Sequence, residues 1–254
     1  VTDKHGSRIT DLKQNDVRVG GDKKPPQEIR SLHAETNLPL QVGLLIDASN
    51  SVRDRFKFEQ ESAIEFLNQT IHPQKDHAFV VGFDVTPEIT QDFTDNTELL
   101  AHGVHELRPG GGTALYDAVY SACRDKLLSA RGQEPVRKVI VLISDGDDDQ
   151  SHAYLADAIK ECQRADTNIF AISTNASPSR DQGDDVLNQM ALATGGRAFF
   201  PADVEDMPVS FDQIQRELRS QYALVYKPAY FKADGSFRPI YLFCLDRRYK
   251  VTVR

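Results

Sequence analysis

Three side chains with oxygen ligands follow directly on an apolar run: Asp47, Ser49 and Ser51 come after Leu44–Ile46. The run predicts a buried strand of a parallel sheet, and such sheets bind ligands just beyond the carboxyl ends of their strands. One carboxylate and two hydroxyls, with no sulfur or imidazole nearby, form a hard-oxygen set that suits Mg²⁺, Mn²⁺ or Ca²⁺ better than zinc. The stretch therefore predicts one part of a divalent-cation site at a sheet edge.

Two more oxygen ligands follow later in the chain. The glycines Gly110–Gly112 allow a sharp turn, after which Thr113 can project its hydroxyl at the start of a helix. The apolar run Val139–Ile143 is followed by S-D-G, which places the carboxylate of Asp145 at the end of another predicted strand. The expected metal ligands are Asp47, Ser49, Ser51, Thr113 and Asp145.

The three segments D-A-S-N-S, G-G-G-T-A and I-S-D-G occur in the order of the metal-ion-dependent adhesion site of the von Willebrand factor type A domain family, which the chain resembles over roughly residues 40–220. The flanking segments are similar to those of a bacterial subgroup, the VWFA-related domain proteins found notably in acidobacteria. The resemblance implies that Ser49, Ser51 and Thr113 contact the metal directly. It implies that Asp47 and Asp145 act directly or through water.

The resemblance also implies a function. Sites of this type leave one metal position open, and an acidic side chain of a protein partner completes the shell, so we expect a metal-dependent protein-binding domain of the adhesion type. The expected ion is Mg²⁺, with Mn²⁺ or Ca²⁺ as alternatives. Asn50 stands where many family members have glycine. That difference leaves the ligands intact but could alter the loop or the approach of a partner.

Other interpretations of the same residues stay open. Such residues at strand ends are often only helix caps, and the motif could persist after binding capacity is lost. A metal-dependent phosphohydrolase with Asp47 as nucleophile is the alternative from another class, and a structural module of an envelope protein is the third. Against catalysis, residue 49 is a serine where a dehalogenase-type motif has an acid, and the sequence contains neither a P-loop lysine nor a G-x-S-x-G elbow. We therefore expect no enzymatic activity.

A run of three aspartates, Asp147–Asp149, follows the second carboxylate. We expect it to form a solvated acidic loop, with a second cation site as the alternative. The seven histidines show no metal-binding spacing and are expected at the surface or in caps.

From Leu40 onward, apolar strands alternate with amphipathic helices, which is typical of a sheet built from βαβ units. The predicted fold class is α/β, a Rossmann-like doubly wound and mostly parallel six-stranded sheet flanked by helices. The predicted strands are Gln41–Ile46, Ala78–Phe83, Glu88–Phe93 as an antiparallel partner, Lys138–Ile143, Asn168–Ser173 and Arg197–Pro201. The predicted helices are Phe56–Ile71, Thr113–Leu128, Ala153–Ala165, Val186–Thr194 and Phe211–Ser220.

Residues 1–38 and 222–254 lack this alternation and show short strand patterns around Gly- and Pro-rich turns. In the first segment, Val17–Val19 and Glu28–Leu32 are expected to form a hairpin. In the second, Tyr222–Lys227 and Ile240–Leu245 flank a turn at 232–235, and Lys250–Val253 follows. We expect the two segments to pair in a small β module beside a domain at 39–221, so that both chain ends meet there.

Composition narrows the choice of partner. The 254 residues are 40% hydrophobic and 27% charged, as in ordinary globular domains, and no apolar run approaches the roughly 20 residues that span a bilayer. The chain has 30 basic and 38 acidic residues. Segments 1–38 and 222–254 together hold fourteen basic and eight acidic residues, so the middle of the chain holds sixteen basic and thirty acidic residues. This acidic middle disfavours nucleic acids and favours cations. The oligomeric state is not indicated.

The cysteines Cys123, Cys162 and Cys244 are widely spaced and form no C-x-x-C pattern. We expect buried, unpaired side chains, with one disulfide as the alternative in an exported protein and no pair favoured. The sequence starts at Val1 without a basic-then-apolar leader, so we expect that a signal peptide was removed or that the chain is an excised fragment. The expected location is extracytoplasmic, whether secreted, periplasmic or envelope-associated.

Overall fold

A computed structural model describes residues 1–4, 9, 11–21, 28–34, 38–129, 136–175, 181–228 and 240–251 of the protein. The strands are β1 (Val17–Gly21), β2 (Glu28–Ala34), β3 (Leu40–Asp47), β4 (His77–Phe83), β5 (Pro87–Thr94), β6 (Arg137–Ser144), β7 (Thr167–Ser173), β8 (Arg197–Phe199), β9 (Tyr222–Lys227) and β10 (Ile240–Cys244). The α-helices are α1 (Phe56–Thr70), α2 (Thr97–Glu106), α3 (Leu115–Ser121), α4 (Leu155–Arg164), α5 (Gln182–Ala193) and α6 (Met207–Leu218). The chain divides into two compact units, one of residues 38–215 and one of residues 1–37 with 216–253.

The larger unit contains a six-stranded sheet in the order β5-β4-β3-β6-β7-β8. All neighbouring strands are parallel except β5, which pairs antiparallel with β4. Every described residue of β6 and β7 is buried, as expected for central strands of a parallel sheet that is covered on both faces. The predicted α/β class, the six strands and the antiparallel partner are confirmed.

The helices cover this sheet with apolar side chains at helical spacing. On one face, residues of α3, α4 and α5 form a buried cluster with the strands, in which Leu45, Phe79 and Ile140 are 0% exposed. Burying a side chain of this size stabilises a fold by about 1.5–3 kcal/mol. Elsewhere in the unit, Phe66 of α1 stacks on Phe211 of α6 with ring centroids 4.9 Å apart.

Several helical segments differ from the predicted ones. Helices α5 and α6 each begin four residues before the predicted starts at Val186 and Phe211. The helix expected from Thr113 begins at Leu115, and its second half, Ala122–Leu127, is π-helical. Helix α2 was not among the predicted elements. Its start is fixed by the side chain of Asn96, which accepts hydrogen bonds from the backbone N–H groups of residues 98 and 99, so a local cap defines an element that apolar spacing did not indicate.

The smaller unit consists of two antiparallel strand pairs. β1 pairs with β10 and β2 pairs with β9, while Thr2 and Lys250 form a bridge near the two chain ends. The predicted β module from both ends of the chain is therefore confirmed, but the predicted hairpin between the first two strands is wrong. Alternation indicated the strands, and it carries no information about which strand each one pairs with. The turn expected at 232–235 and the second half of the strand expected at 250–253 lie outside the described residues.

Cys123 and Cys162 form a disulfide between the π-helical segment and α4, with Cα atoms 4.9 Å apart. The expectation of unpaired thiols is thus wrong for this pair, because two helices packed on one sheet face bring residues 39 positions apart into contact. Cys244 is buried with a free thiol. None of the described helices combines the length and the apolar character needed to span a bilayer.

Candidate metal centre

The candidate site lies where the strand order changes direction. From β3 the chain proceeds to β4 on one side, whereas β6, on the other side of β3, leads on to β7. Open α/β sheets bind ligands at such a switch point, beyond the carboxyl ends of the strands. Asp47 ends β3 and Asp145 follows β6, so the sheet topology alone places both carboxylates at this crevice.

Asp47 is fully buried, and both of its carboxyl oxygens accept hydrogen bonds. The backbone N–H of Ser49 donates to Oδ1 over 2.9 Å and the hydroxyl of Ser144 donates to Oδ2 over 2.7 Å. Burial raises the pKa of Asp47 to about 6, these hydrogen bonds oppose the shift, and the neighbouring charge of Asp145 adds to it. With both oxygens already engaged, Asp47 is suited to fix the loop that carries the serines.

Ser49, Ser51 and Asp145 form a continuous chain of oxygen atoms. The two serine hydroxyls are 2.9 Å apart, and the hydroxyl of Ser51 donates to Oδ2 of Asp145 over 2.7 Å. The other oxygen of Asp145 accepts from the backbone N–H of Asp147 over 3.2 Å. Oxygen atoms from two strand ends are thus linked in a row, with Ser51 between Ser49 and Asp145.

Thr113 reaches the same place from a loop of unusual backbone conformation. Gly111 has φ +73°, and a Cβ on Gly112 would lie 2.7 Å from a carboxyl oxygen of Asp149, so both positions favour glycine. The backbone of Thr113 is held by that same aspartate, which accepts from the Thr113 N–H over 2.7 Å. Thr113 is 7% exposed, and within the described part of the chain its hydroxyl has no hydrogen-bond partner.

All of these groups except the buried Asp47 line one open cleft of about 400 Å³. The lining residues are Ser49, Asn50, Ser51, Gly111, Gly112, Thr113, Asp145, Asp147, Asp148 and Asp149. The structure therefore brings the five predicted residues together at one sheet edge. Their role as metal ligands stays a prediction.

The acidic run differs from the solvated loop that we expected. Asp149 holds Thr113, and Asp148 accepts from the backbone N–H of Tyr116 over 2.9 Å and from the hydroxyl of Ser151 over 2.6 Å. Asp147 and Asp149 are both exposed, but only Asp147 makes no side-chain hydrogen bond among the described residues; partial burial and then neighbouring carboxylates raise the pKa of Asp147. Two of the three aspartates thus hold backbone N–H groups, one in the loop that carries Thr113 and one in the helix that follows it. A run of like charges does not reveal this role.

Glu59 is a further acidic residue that sequence patterns gave no reason to single out. It is 0% exposed on α1, and within the described residues neither carboxyl oxygen has a hydrogen-bond partner. Burial raises its pKa to about 8, Arg55 opposes the shift, and the charges of Asp47 and Asp145 add to it. Because a glutamate on an amphipathic helix normally faces solvent, only the tertiary structure identifies it as part of the surroundings of the site.

The donor set fits a hard divalent cation. Among the described residues there is no cluster of three or more His, Cys, Asp or Glu side chains arranged to hold a metal, so a site here depends on hydroxyls combined with carboxylates. The unpartnered hydroxyl of Thr113 and the linked oxygens of Ser49, Ser51 and Asp145 supply such a set. Hydroxyl, carboxylate and water oxygens are the ligands of Mg²⁺ and Ca²⁺.

Solved structures with the same fold include a mussel byssus protein, a minor pilin and a pili tip protein. Proximal thread matrix protein 1 from the mussel byssus is 15% identical over 78% of this chain and 50% of its own, with a TM-score of 0.62, and another of its structures has a zinc-occupied MIDAS motif. A D319A mutant of the PilB minor pilin from Streptococcus sanguinis is 13% identical over 72% and 62%, with a TM-score of 0.58. The vWF domain of the type V pili tip protein Mfa5 from Porphyromonas gingivalis is 17% identical over 72% and 95%, with a TM-score of 0.55. The chain thus spans about half of the mussel protein and less than two thirds of PilB.

At these identities the solved structures show a common fold. The comparison with curated proteins finds no match. The family model of the von Willebrand factor type A domain matches residues 41–216, which is more than half of the chain and includes all five predicted ligands. The protein therefore belongs to the von Willebrand factor type A domain family.

Proposed function

We propose that the protein is a metal-ion-dependent protein-binding domain of the adhesion type. The observation that carries the proposal is the convergence of Ser49, Ser51, Asp145 and the unpartnered hydroxyl of Thr113 on one open cleft at the switch point of the sheet. Asp47, buried behind them, holds the backbone of the serine loop. A divalent cation bound to these oxygens would offer its open position to an acidic side chain of the partner protein.

Each residue has a defined part in this function. Ser49, Ser51 and Thr113 would hold the ion, while Asp145 would contribute a negative charge that is not already neutralised by a basic partner in the described residues. Mg²⁺ is the proposed native ion because the donors are hard oxygens, with Mn²⁺ and Ca²⁺ as alternatives. The zinc-occupied motif of the mussel protein adds Zn²⁺ to the ions that need testing.

The contents of the cleft support binding over catalysis. Among the described residues, its lining includes no histidine, cysteine or lysine that could act as a base or a nucleophile at neutral pH. Asp47, the nucleophile that a phosphohydrolase would need, is 0% exposed and uses both oxygens as hydrogen-bond acceptors. We place the binding function in residues 39–221, with residues 1–38 and 222–254 as an accessory β module.

Two independent observations support an extracytoplasmic location. The Cys123–Cys162 disulfide requires an oxidising compartment to form and persist. The structural neighbours include a minor pilin and a pilus tip protein, which by name belong to surface appendages. We therefore propose that the domain acts in the envelope or outside the cell.

Metal titration tests the first half of the proposal. Calorimetric titration of the metal-free protein with Mg²⁺, Mn²⁺, Ca²⁺ and Zn²⁺ should show one site per chain, and Ser51→Ala and Thr113→Val should each weaken it at least tenfold with unchanged circular dichroism. Ser121→Ala is the matched control, because its hydroxyl bonds only to backbone carbonyls of its own helix. A wild-type protein that binds none of the four ions would overturn the proposal.

Capture experiments test the second half. Immobilised protein should retain an envelope-fraction protein in Mg²⁺, release it in EDTA, and fail to retain it when Thr113→Val replaces the wild type. Converting the carboxyl groups of the captured protein to amides should abolish its retention, because the proposed contact is a carboxylate on the metal. Retention that persists after this treatment would contradict an acidic ligand.

A further inference from the structure

The side chains of Asn50 and Arg53 connect the two loops that carry the candidate metal ligands. Asn50 Nδ2 donates to the carbonyl of Gly111 over 3.1 Å. Arg53 donates from one guanidinium nitrogen to Oδ1 of Asn50 over 2.9 Å and to the carbonyl of Pro109 over 3.2 Å. These three hydrogen bonds join the serine loop to the glycine loop, and we call the two side chains the clamp.

The clamp adds to a backbone connection between the same loops. The Gly110 N–H donates to the carbonyl of Ala48 over 2.7 Å, and the Asn50 N–H donates to the carbonyl of Gly111 over 3.3 Å. Without the two side chains, these backbone bonds alone would join the glycine loop to the serine loop within the described residues. Glycine has more conformational freedom to lose than any other residue, so a run of three glycines needs external restraint to hold one conformation.

Restraint of the glycine loop matters for the hydroxyl that follows it. Thr113 lies two residues beyond Gly111, and its hydroxyl has no partner within the described residues, so its position relative to Ser49 and Ser51 is set by the backbone on either side. Asp149 fixes that backbone from one direction. The clamp fixes it from the other.

We propose that Asn50 and Arg53 are positioning residues that pre-organise the metal site by fastening the glycine loop to the serine loop before the ion binds. This inference rests on the proposed metal-binding function. It also gives a role to Asn50, whose side chain supplies both the donor to one loop and the acceptor for the arginine. Pre-organisation raises affinity because less conformational freedom is lost on binding.

The clamp and simple electrostatics predict opposite changes in metal affinity when the charge of Arg53 is removed. A guanidinium beside a divalent site repels the ion, so removing its charge should strengthen metal binding if the arginine acts only as a surface charge. If it acts through the clamp, Arg53→Ala should weaken binding in spite of the lost repulsion. Arg53→Lys keeps the charge, but its ammonium ends one bond short of the guanidinium nitrogen that donates to both Asn50 and Pro109, so it should also weaken binding.

The test measures Mg²⁺ and Mn²⁺ affinity of the full chain by calorimetry for Asn50→Ala, Arg53→Ala, Arg53→Lys and the double alanine variant. Loss of hydrogen bonds of this kind should lower the affinity roughly three- to tenfold in each single variant. The double variant should lose less than the product of the two alanine effects, because Arg53 acts partly through Asn50. Arg124→Ala is the control, as its exposed guanidinium pairs with Asp125.

A second measurement is independent of metal. Amide hydrogen exchange at Gly110 in EDTA should be roughly three- to tenfold faster in Asn50→Ala than in the wild type, with an unchanged melting temperature. Wild-type metal affinity in all clamp variants, or stronger binding in Arg53→Ala, overturns the inference and leaves the proposed function standing. A wild type that binds no metal, by contrast, removes the proposed function itself.

Discussion

The buried carboxyl group of Glu59 should make the protein less stable as the pH rises from 5 to 8. Its side chain is 0% exposed and has no hydrogen-bond partner among the described residues, and burial raises its pKa from the ordinary 4.5 to about 8. A carboxyl group with a raised pKa keeps its proton in the folded chain and loses it on unfolding. The unfolded state then binds fewer protons than the folded state, so stability falls with pH between the two pKa values.

Replacing Glu59 by glutamine keeps the shape of the side chain and removes the titration. Between pH 4.5 and about 8, each pH unit costs the wild type up to about 1.4 kcal/mol of stability. At pH 7 the accumulated cost is about 3 kcal/mol, whereas at pH 4 it vanishes because both states are protonated. We therefore expect Glu59→Gln to be more stable than the wild type by about 3 kcal/mol at pH 7 and equally stable at pH 4.

Urea unfolding in EDTA, followed by circular dichroism at pH 4, 5, 6, 7 and 8, measures this difference. Glu61→Gln is the matched control, because Glu61 lies on the same helix with a side chain that is 61% exposed and 3.9 Å from Lys57. Its effect should stay within about 0.5 kcal/mol at every pH. A difference between Glu59→Gln and the wild type that is the same at pH 5 and pH 8 would refute the raised pKa.

Three further outcomes are expected. Replacing Cys123 and Cys162 together by alanine should cost about 4 kcal/mol in urea unfolding, since the bridge closes a loop of 39 residues, and dithiothreitol should have no further effect on that variant. Asp149→Ala should both lower the free energy of unfolding by about 1 kcal/mol and weaken metal binding, because it releases the backbone of Thr113. Asp147→Ala breaks no such contact and should leave the stability unchanged. Gly111→Ala should destabilise by about 1–2 kcal/mol, as measured by thermal unfolding, because the position has φ +73°.

The central sheet could be predicted from the sequence because its physical cause is local. Strands such as β6 are buried on both faces, so their burial appears directly as an apolar run. Pairing has no such signature. β1 lies against β10, more than two hundred residues away in the chain, and the strand pattern of β1 would be the same beside any partner.

The candidate site divides in a similar way between predictable and unpredictable parts. Asp47, Ser49 and Ser51 could be found because hydrophobic periodicity stops abruptly at the carboxyl end of a strand. Asp149 and Glu59 could not, since their roles depend on tertiary placement. The carboxylate of Asp149 accepts a hydrogen bond from the backbone N–H of Thr113, and the carboxyl group of Glu59 is buried. An acidic residue looks the same in a sequence whether it faces water, a cap or the interior.

Because carboxylates surround the cleft, the acidic partner that we propose needs a metal ion in order to bind there. Asp145 and Asp147 line the cleft, and an approaching carboxylate at 4 Å is repelled by each of them by about 1 kcal/mol in water, and more where water is partly excluded. A divalent cation held by Ser49, Ser51 and Thr113 would offset the charges of these two aspartates. Because the partner's carboxylate would contact the ion directly and lie farther from the aspartates, the net interaction would become attractive. The same aspartates therefore do two things: they raise the affinity of the cleft for a cation, and they exclude an acidic ligand from the metal-free protein. Metal dependence of binding then follows from charge as well as from coordination. A partner with an amide in place of the carboxylate should lose the contact with the metal, and it should no longer distinguish the metal-bound protein from the metal-free protein.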